Sequence, residues 1–187
     1  MKWTIISVLV SIPSQSGTLT YNGSAQTPKW QNFDNENSSV SVSAKTNAGE
    51  YMATFTLKKG MWTDGTTAAK TIKWTIGRAT IAAVPAQNGT LTYDGNPKTP
   101  SWNTDYDSAK MTVSVTAATN AGTYSATFTP TSNYKWSDGS TGGKTASWTI
   151  GKAVNSVTNS PSSIMLKSSA KTATFTVNRK GNGTITA

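Results

Sequence analysis

The chain has 187 residues, 35% of them hydrophobic, with no Cys, no His and a net charge of +9 from 17 Lys plus Arg against 8 Asp plus Glu. Without Cys and His, disulfides, thiolate metal sites, most zinc sites and the Ser-His-Asp and Cys-His nucleophile systems are excluded. The length suits one large domain or two small ones, and no apolar run approaches the roughly 20 residues of a membrane span.

Thr, Ser, Gly and Asn fill the place of the missing hydrophobics, which suits many short strands joined by tight turns. The chain opens Met1-Lys2, followed by an apolar stretch, Trp3–Ile12, interrupted by Thr4, Ser7 and Ser11. A charged start and a short apolar segment also fit a secretory signal. However, Lys2-Trp3-Thr4-Ile5 returns as Lys73-Trp74-Thr75-Ile76 and as Ser147-Trp148-Thr149-Ile150, where it closes a unit. Residues 1–13 are therefore expected to be a leading strand and linker, the tail of a preceding unit.

The internal repeat is the strongest signal. Gly17-Thr18-Leu19-Thr20-Tyr21-Asn22-Gly23 returns 72 residues on as Gly89-Thr90-Leu91-Thr92-Tyr93-Asp94-Gly95. Tyr51 and Tyr124 lie 73 apart, while Trp62 and Trp136, like Trp74 and Trp148, lie 74 apart. Single-residue drift places the insertions in loops. A period this long exceeds most solenoid repeats and describes a whole small domain. The expected units are 14–78 and 79–152, with Gly77-Arg78-Ala79 and Gly151-Lys152-Ala153 as short linkers.

In the second unit, strands are expected at Thr80–Val84, Gly89–Tyr93, around Trp102, at Met111–Ala117, Thr123–Thr129 and Lys144–Ile150. Gly95 sits where a turn needs positive φ, and Pro97 and Pro100 belong at an edge or in a loop because Pro cannot donate to a ladder. Trp62-Thr63-Asp64-Gly65 and Trp136-Ser137-Asp138-Gly139 mark a further turn. Asn47–Thr56 and Asn120–Thr129 each lead from an Asn-Ala-Gly turn into a strand, with Tyr124, Ala126 and Phe128 on one face and Thr123, Ser125, Thr127 and Thr129 on the other. Residues 153–187 read as a partial third unit of a different subtype, with strands at Ser163–Lys167, Lys171–Asn178 and Thr184–Ala187. Either the chain is cut from a longer one, or neighbouring molecules complete each other's sheets by strand addition.

A Tyr two residues after the turn Gly resembles the tyrosine corner of immunoglobulin-like sandwiches, where the phenol ties back to the preceding turn. Ala53 and Ala126 stand where such a domain has its second Cys. Leu91–Gly95, Asn120–Tyr124, Asn133–Gly139 and Trp148–Ile150 resemble the tandem Ig-like modules of phage structural proteins and Gram-positive surface proteins. The first copy departs from that pattern at Asn22 and at Gly60-Met61. The resemblance implies an all-β fold of tandem Ig-like antiparallel β-sandwiches, with Tyr51 and Tyr124 as the structural corner. It further implies adhesion or virion decoration and no catalytic activity.

The carboxylates agree with a non-enzyme. Asp64, Asp94 and Asp138 precede Gly in turns, while Asp34, Glu36, Asp105 and Asp107 fall in one variable loop per copy. Asp105 and Asp107 read as solvated loop acids in preference to a calcium pair, and no metal or other cofactor is expected. Repetition of Trp30, Trp62 and Trp74 as Trp102, Trp136 and Trp148 favours core packing. Trp62 and Trp136, beside their Asp-Gly turns, are the candidate glycan-stacking residues. The basic residues are scattered, which suits solvated strand faces; Lys58, Lys59 and Lys135 are the candidate polyanion contacts.

The expected function is a structural and adhesive component of a phage virion (tail, fibre or capsid decoration) that attaches weakly to host or surface glycans. The alternative is a bacterial cell-surface adhesin stalk or glycan-binding module. Expected partners are other virion or surface proteins, with cell-surface glycans or teichoic acid as ligands, in a chain open to oligomerisation. No specific nucleic acid and no membrane span are expected.

Overall fold

The alternation that reads Tyr-x-Ala-x-Phe in sequence becomes the central strand of a sheet in each half of the protein. The computed structural model describes residues 8–154. Among them there is no helix, and the chain is all-β with several sheets. The leading strand at Met1–Ile5 and the strands of the partial third unit lie outside the described residues. The described residues divide into two compact units, one of residues 8–83 with 130–142 and one of 84–129 with 143–154.

Unit 1 contains β1 (Leu9–Val10), β2 (Ser14–Ser16), β3 (Leu19–Thr20), β4 (Lys29–Gln31), β5 (Ser38–Ser41), β6 (Gly49–Leu57), β7 (Met61–Trp62), β8 (Lys70–Gly77) and β9 (Ala79–Ile81). Its main sheet has the order β3-β8-β6-β5. β6 pairs antiparallel with β5 and β8, and β3 joins β8 in parallel. The register sets Tyr51 opposite Trp74 and Ala53 opposite Ile72. Because side chains alternate, Ala53, Phe55, Trp74 and Ile76 turn inward and are buried, while Glu50, Met52, Lys73 and Thr75 face solvent. Trp30 and Phe33 meet Phe55 edge-on, at ring-centroid distances of 4.8 Å and 5.5 Å, an arrangement aromatic quadrupoles favour.

Within residues 8–13, expected to be linker, Val10 and Ile12 join this core. Leu9–Val10 pairs in parallel with β7, setting Val10 opposite Trp62, and Val10 is 1% exposed. A two-residue strand is too short to show periodicity, so its apolar side chains read equally well as a leader or a linker.

Unit 2 holds β10 (Gln87–Asn88), β11 (Leu91–Thr92), β12 (Ser101–Trp102), β13 (Met111–Val115), β14 (Gly122–Pro130) and β16 (Lys144–Gly151); β15 (Tyr134–Trp136) falls within the 130–142 segment of unit 1. Its sheet order, β11-β16-β14-β13, has the same pattern as that of unit 1. Tyr124 stands opposite Trp148 and Ala126 opposite Ala146, with Met111, Ala126, Phe128, Trp148 and Ile150 buried. β10 and β15 are strands where none was expected, and the expected Thr80–Val84 strand is shorter, ending at Ile81. Gly95 adopts φ 87°, and Pro97 and Pro100 lie outside the strands.

Candidate functional site

In the Trp-x-Asp-Gly turns the Asp side chain folds back onto the turn. Asp64 Oδ1 accepts from the Thr66 amide and hydroxyl, and Asp138 Oδ1 accepts likewise from Ser140. Lys70 donates to Asp64, and that bond, helped by Thr66, holds the carboxyl at about 2, below its usual value of 3.8. The turn polar groups thus point outward and the preceding indole points inward. Trp62 is 0% exposed and Trp136 is 1% exposed. Their Nε1 atoms donate to Ala68 O and Gly142 O, each at 2.8 Å. The glycan-stacking role for which these rings were candidates is therefore corrected in favour of the core packing that their repetition favours, since neither offers a face to solvent.

Tyr51 donates its hydroxyl to Asn47 O at 2.8 Å, and Tyr124 donates to Asn120 O at 2.7 Å. Each phenol spans the Asn-Ala-Gly turn that introduces its own strand. Each ring also lies against the Trp opposite it, with centroids 5.0 Å apart for Tyr51 and Trp74 and 4.8 Å for Tyr124 and Trp148.

The structure does not bring the three candidate lysines together. Lys58 Nζ donates to Asn35 O at 2.7 Å, and Lys59 reaches Glu36 at 3.4 Å. Both are drawn onto the acidic 34–37 loop, where Asp34 is held below its ordinary value chiefly by the Asn37 side-chain amide. Asp105 accepts from Asn103 Nδ2 at 2.8 Å, whereas Asp107 takes the Ala109 amide and Lys110. Their separate partners leave them as loop acids. Among the described residues no group of three or more metal-ligating side chains gathers.

Lys135 lies elsewhere, in two adjoining solvent-open hollows of unit 1. These measure about 380 Å³ and about 330 Å³ and share Thr75, Gly77, Arg78 and Lys135. Arg78 Nε donates to Ser132 O at 2.9 Å, which anchors the guanidinium and leaves its terminal nitrogens for the groove. Glu50 lines the second hollow, but its carboxylate pairs with Lys73 at 3.0 Å. The floor is held by Gln15, whose side-chain amide donates to Thr75 O at 3.0 Å and accepts from Thr75 N at 2.8 Å. Gln87 makes the same pair of bonds to Thr149, at 3.1 Å and 2.7 Å.

In the sequence Arg78 reads only as a linker residue, and neither glutamine belongs to a motif. Gln15 and Gln87 do recur 72 residues apart, in step with the core aromatics. That regularity is the signal that marks a polar residue as structural. No protein-family model, curated protein or solved structure matches the chain.

Proposed function

We propose that this is a non-enzymatic structural and adhesive protein built from tandem Ig-like antiparallel β-sandwiches. It serves as a phage virion component, in the tail, in a fibre or as capsid decoration, and attaches weakly to host or surface glycans. One observation carries this reading: the same sheet pattern, β3-β8-β6-β5 and β11-β16-β14-β13, recurs with the same polar fasteners at matched positions. A scaffold that repeats its core and its fasteners while varying its loops suits a spacer that presents weak contact surfaces. The phenol that ties back across the Asn-Ala-Gly turn supports the Ig-like assignment in each copy. Lys135, which has no acidic partner among the described residues and lies beside Arg78, supports an anionic component in the attachment.

The test is location. An antibody against the purified chain is applied to particles and to cell envelopes from a culture that expresses it, with labelling read by electron microscopy. Labelled particles are expected. Labelling of the envelope alone would replace the virion reading with a cell-surface stalk, and labelling of neither would overturn both.

A further inference from the structure

We infer that the groove around Arg78 and Lys135 is a binding site for a polyol-phosphate chain, with phosphate held between the two cations. This rests on the adhesive reading above and names its ligand class and site. Lys59, Lys70, Lys73, Lys98 and Lys110 pair with carboxylates. Lys135 has no acidic partner among the described residues, and its side chain is half-buried against the groove wall. Burial of the stem with the ammonium left unpaired is an arrangement that awaits an anion.

Arg78 supplies the complementary geometry. With Nε fixed on Ser132 O, the planar fork is pre-oriented and loses less freedom on meeting a second acceptor. Arginine binds phosphate through paired, charge-assisted hydrogen bonds, and the lysine adds a point charge. Thr18, Thr20 and Thr75 contribute hydroxyl-bearing side chains to the first hollow. Thr75 takes one donor and one acceptor of the Gln15 amide, which fixes that side chain beside the groove. Glu50 does not cancel the field, because Lys73 neutralises it.

The shape selects a chain over a small molecule. Small-molecule sites enclose most of their ligand, whereas both hollows here are open and lie on either side of the shared residues. A flexible polymer passing over Thr75 and Gly77 would occupy both.

The experiment measures fluorescence anisotropy of the full chain with labelled poly(glycerol phosphate), beside labelled single-stranded DNA of equal charge and neutral dextran. Wild type is expected to bind the polyol phosphate, with affinity falling steeply as salt rises. Lys135→Gln and Arg78→Gln should each weaken binding about fivefold, the loss of one exposed charge-assisted contact. Lys29→Gln removes a charge outside the groove and should change binding less than about twofold. Lys135→Gln breaks no hydrogen bond of the fold, so it keeps the test valid if Arg78→Gln lowers stability. An equal loss in Lys29→Gln would overturn the site in favour of a diffuse field. DNA binding as tight as that of the polymer and equally sensitive to Lys135→Gln would overturn the ligand class. Absence of polymer binding by wild type would overturn the inference, while particle labelling decides the structural role independently.

Discussion

The inward faces of the two four-stranded sheets nearly coincide, and their outward faces do not. β6 and β14 both turn Tyr, Ala and Phe inward, against Trp and Ile of β8 and β16. Outward, unit 1 carries Glu50, Met52 and Lys73, where unit 2 carries Thr123, Ser125 and Ser147. Glu50 and Lys73 pair in the open, 65% and 56% exposed, and an ion pair so hydrated contributes at most about 1 kcal/mol. Met52 is 62% exposed without apparent cost to the pattern. The comparison teaches that the buried stripe and a few polar fasteners specify these sheets, leaving the solvent face free to vary.

The glutamines test this most severely. Gln15→Ala and Gln87→Ala each remove a donor and an acceptor that engage one residue of the closing strand. Each loss should cost about 1–2 kcal/mol, the sum of two modest hydrogen bonds, read as a lowered urea midpoint at unchanged slope. A loss in one sheet and none in the other would break the equivalence.

Next come the phenols. Tyr51→Phe and Tyr124→Phe keep the ring against Trp74 or Trp148 and remove only the bond to Asn47 O or Asn120 O. About 1 kcal/mol should be lost in each case, seen as a lower melting temperature. Unaltered melts would show that ring packing alone holds the corner.

The smallest effect separates the units. Asp94 in unit 2 pairs with Lys98 at 2.9 Å and accepts from Asn96 N. In unit 1 the matched turn has Asn22, which accepts from Ser24 N, with Gln26 in place of the lysine. Lys98 first, then the Asn96 amide, holds the Asp94 carboxyl below its usual range. A depressed folded pKa stabilises above the unfolded value of about 4, and that contribution is lost as pH falls through the folded value. Asp94→Asn should therefore lower the melt slightly at pH 7 and make the decline below about pH 4 shallower. An acid limb as steep as wild type would exclude this turn as its source.

Long alternating strands were legible in sequence because burial on one face imposes period two; β14 and β16 appear close to their expected limits. Two-residue strands such as β1 and β10 carry no period and were invisible. Repetition marks the indoles of Trp62 and Trp136 for the core, but not how a ring beside an exposed turn comes to be buried. Turn residues are usually exposed, and only the Asp side chain closing over the turn shows which way the ring must face. The groove was harder still. Arg78 lies in a linker and Lys135 in the Asn133–Gly139 motif, 57 residues further on, so only the fold brings them to one surface.

One feature of the main sheets bears on what happens when the protein is pulled. β3 enters unit 1 early, β8 comes late, and the two run side by side in the same direction, with Leu19 beside Ile76 and Thr20 beside Gly77. Tension entering ahead of β3 and leaving after β8 drags these neighbours in opposite directions along their length. Their hydrogen bonds are then loaded together in shear and do not peel apart one at a time. The bond from Tyr21 N to Gly77 O lies on the same seam. A particle or cell held by such a chain in flowing liquid would hang from that seam, and its grip would outlast what equilibrium stability alone suggests.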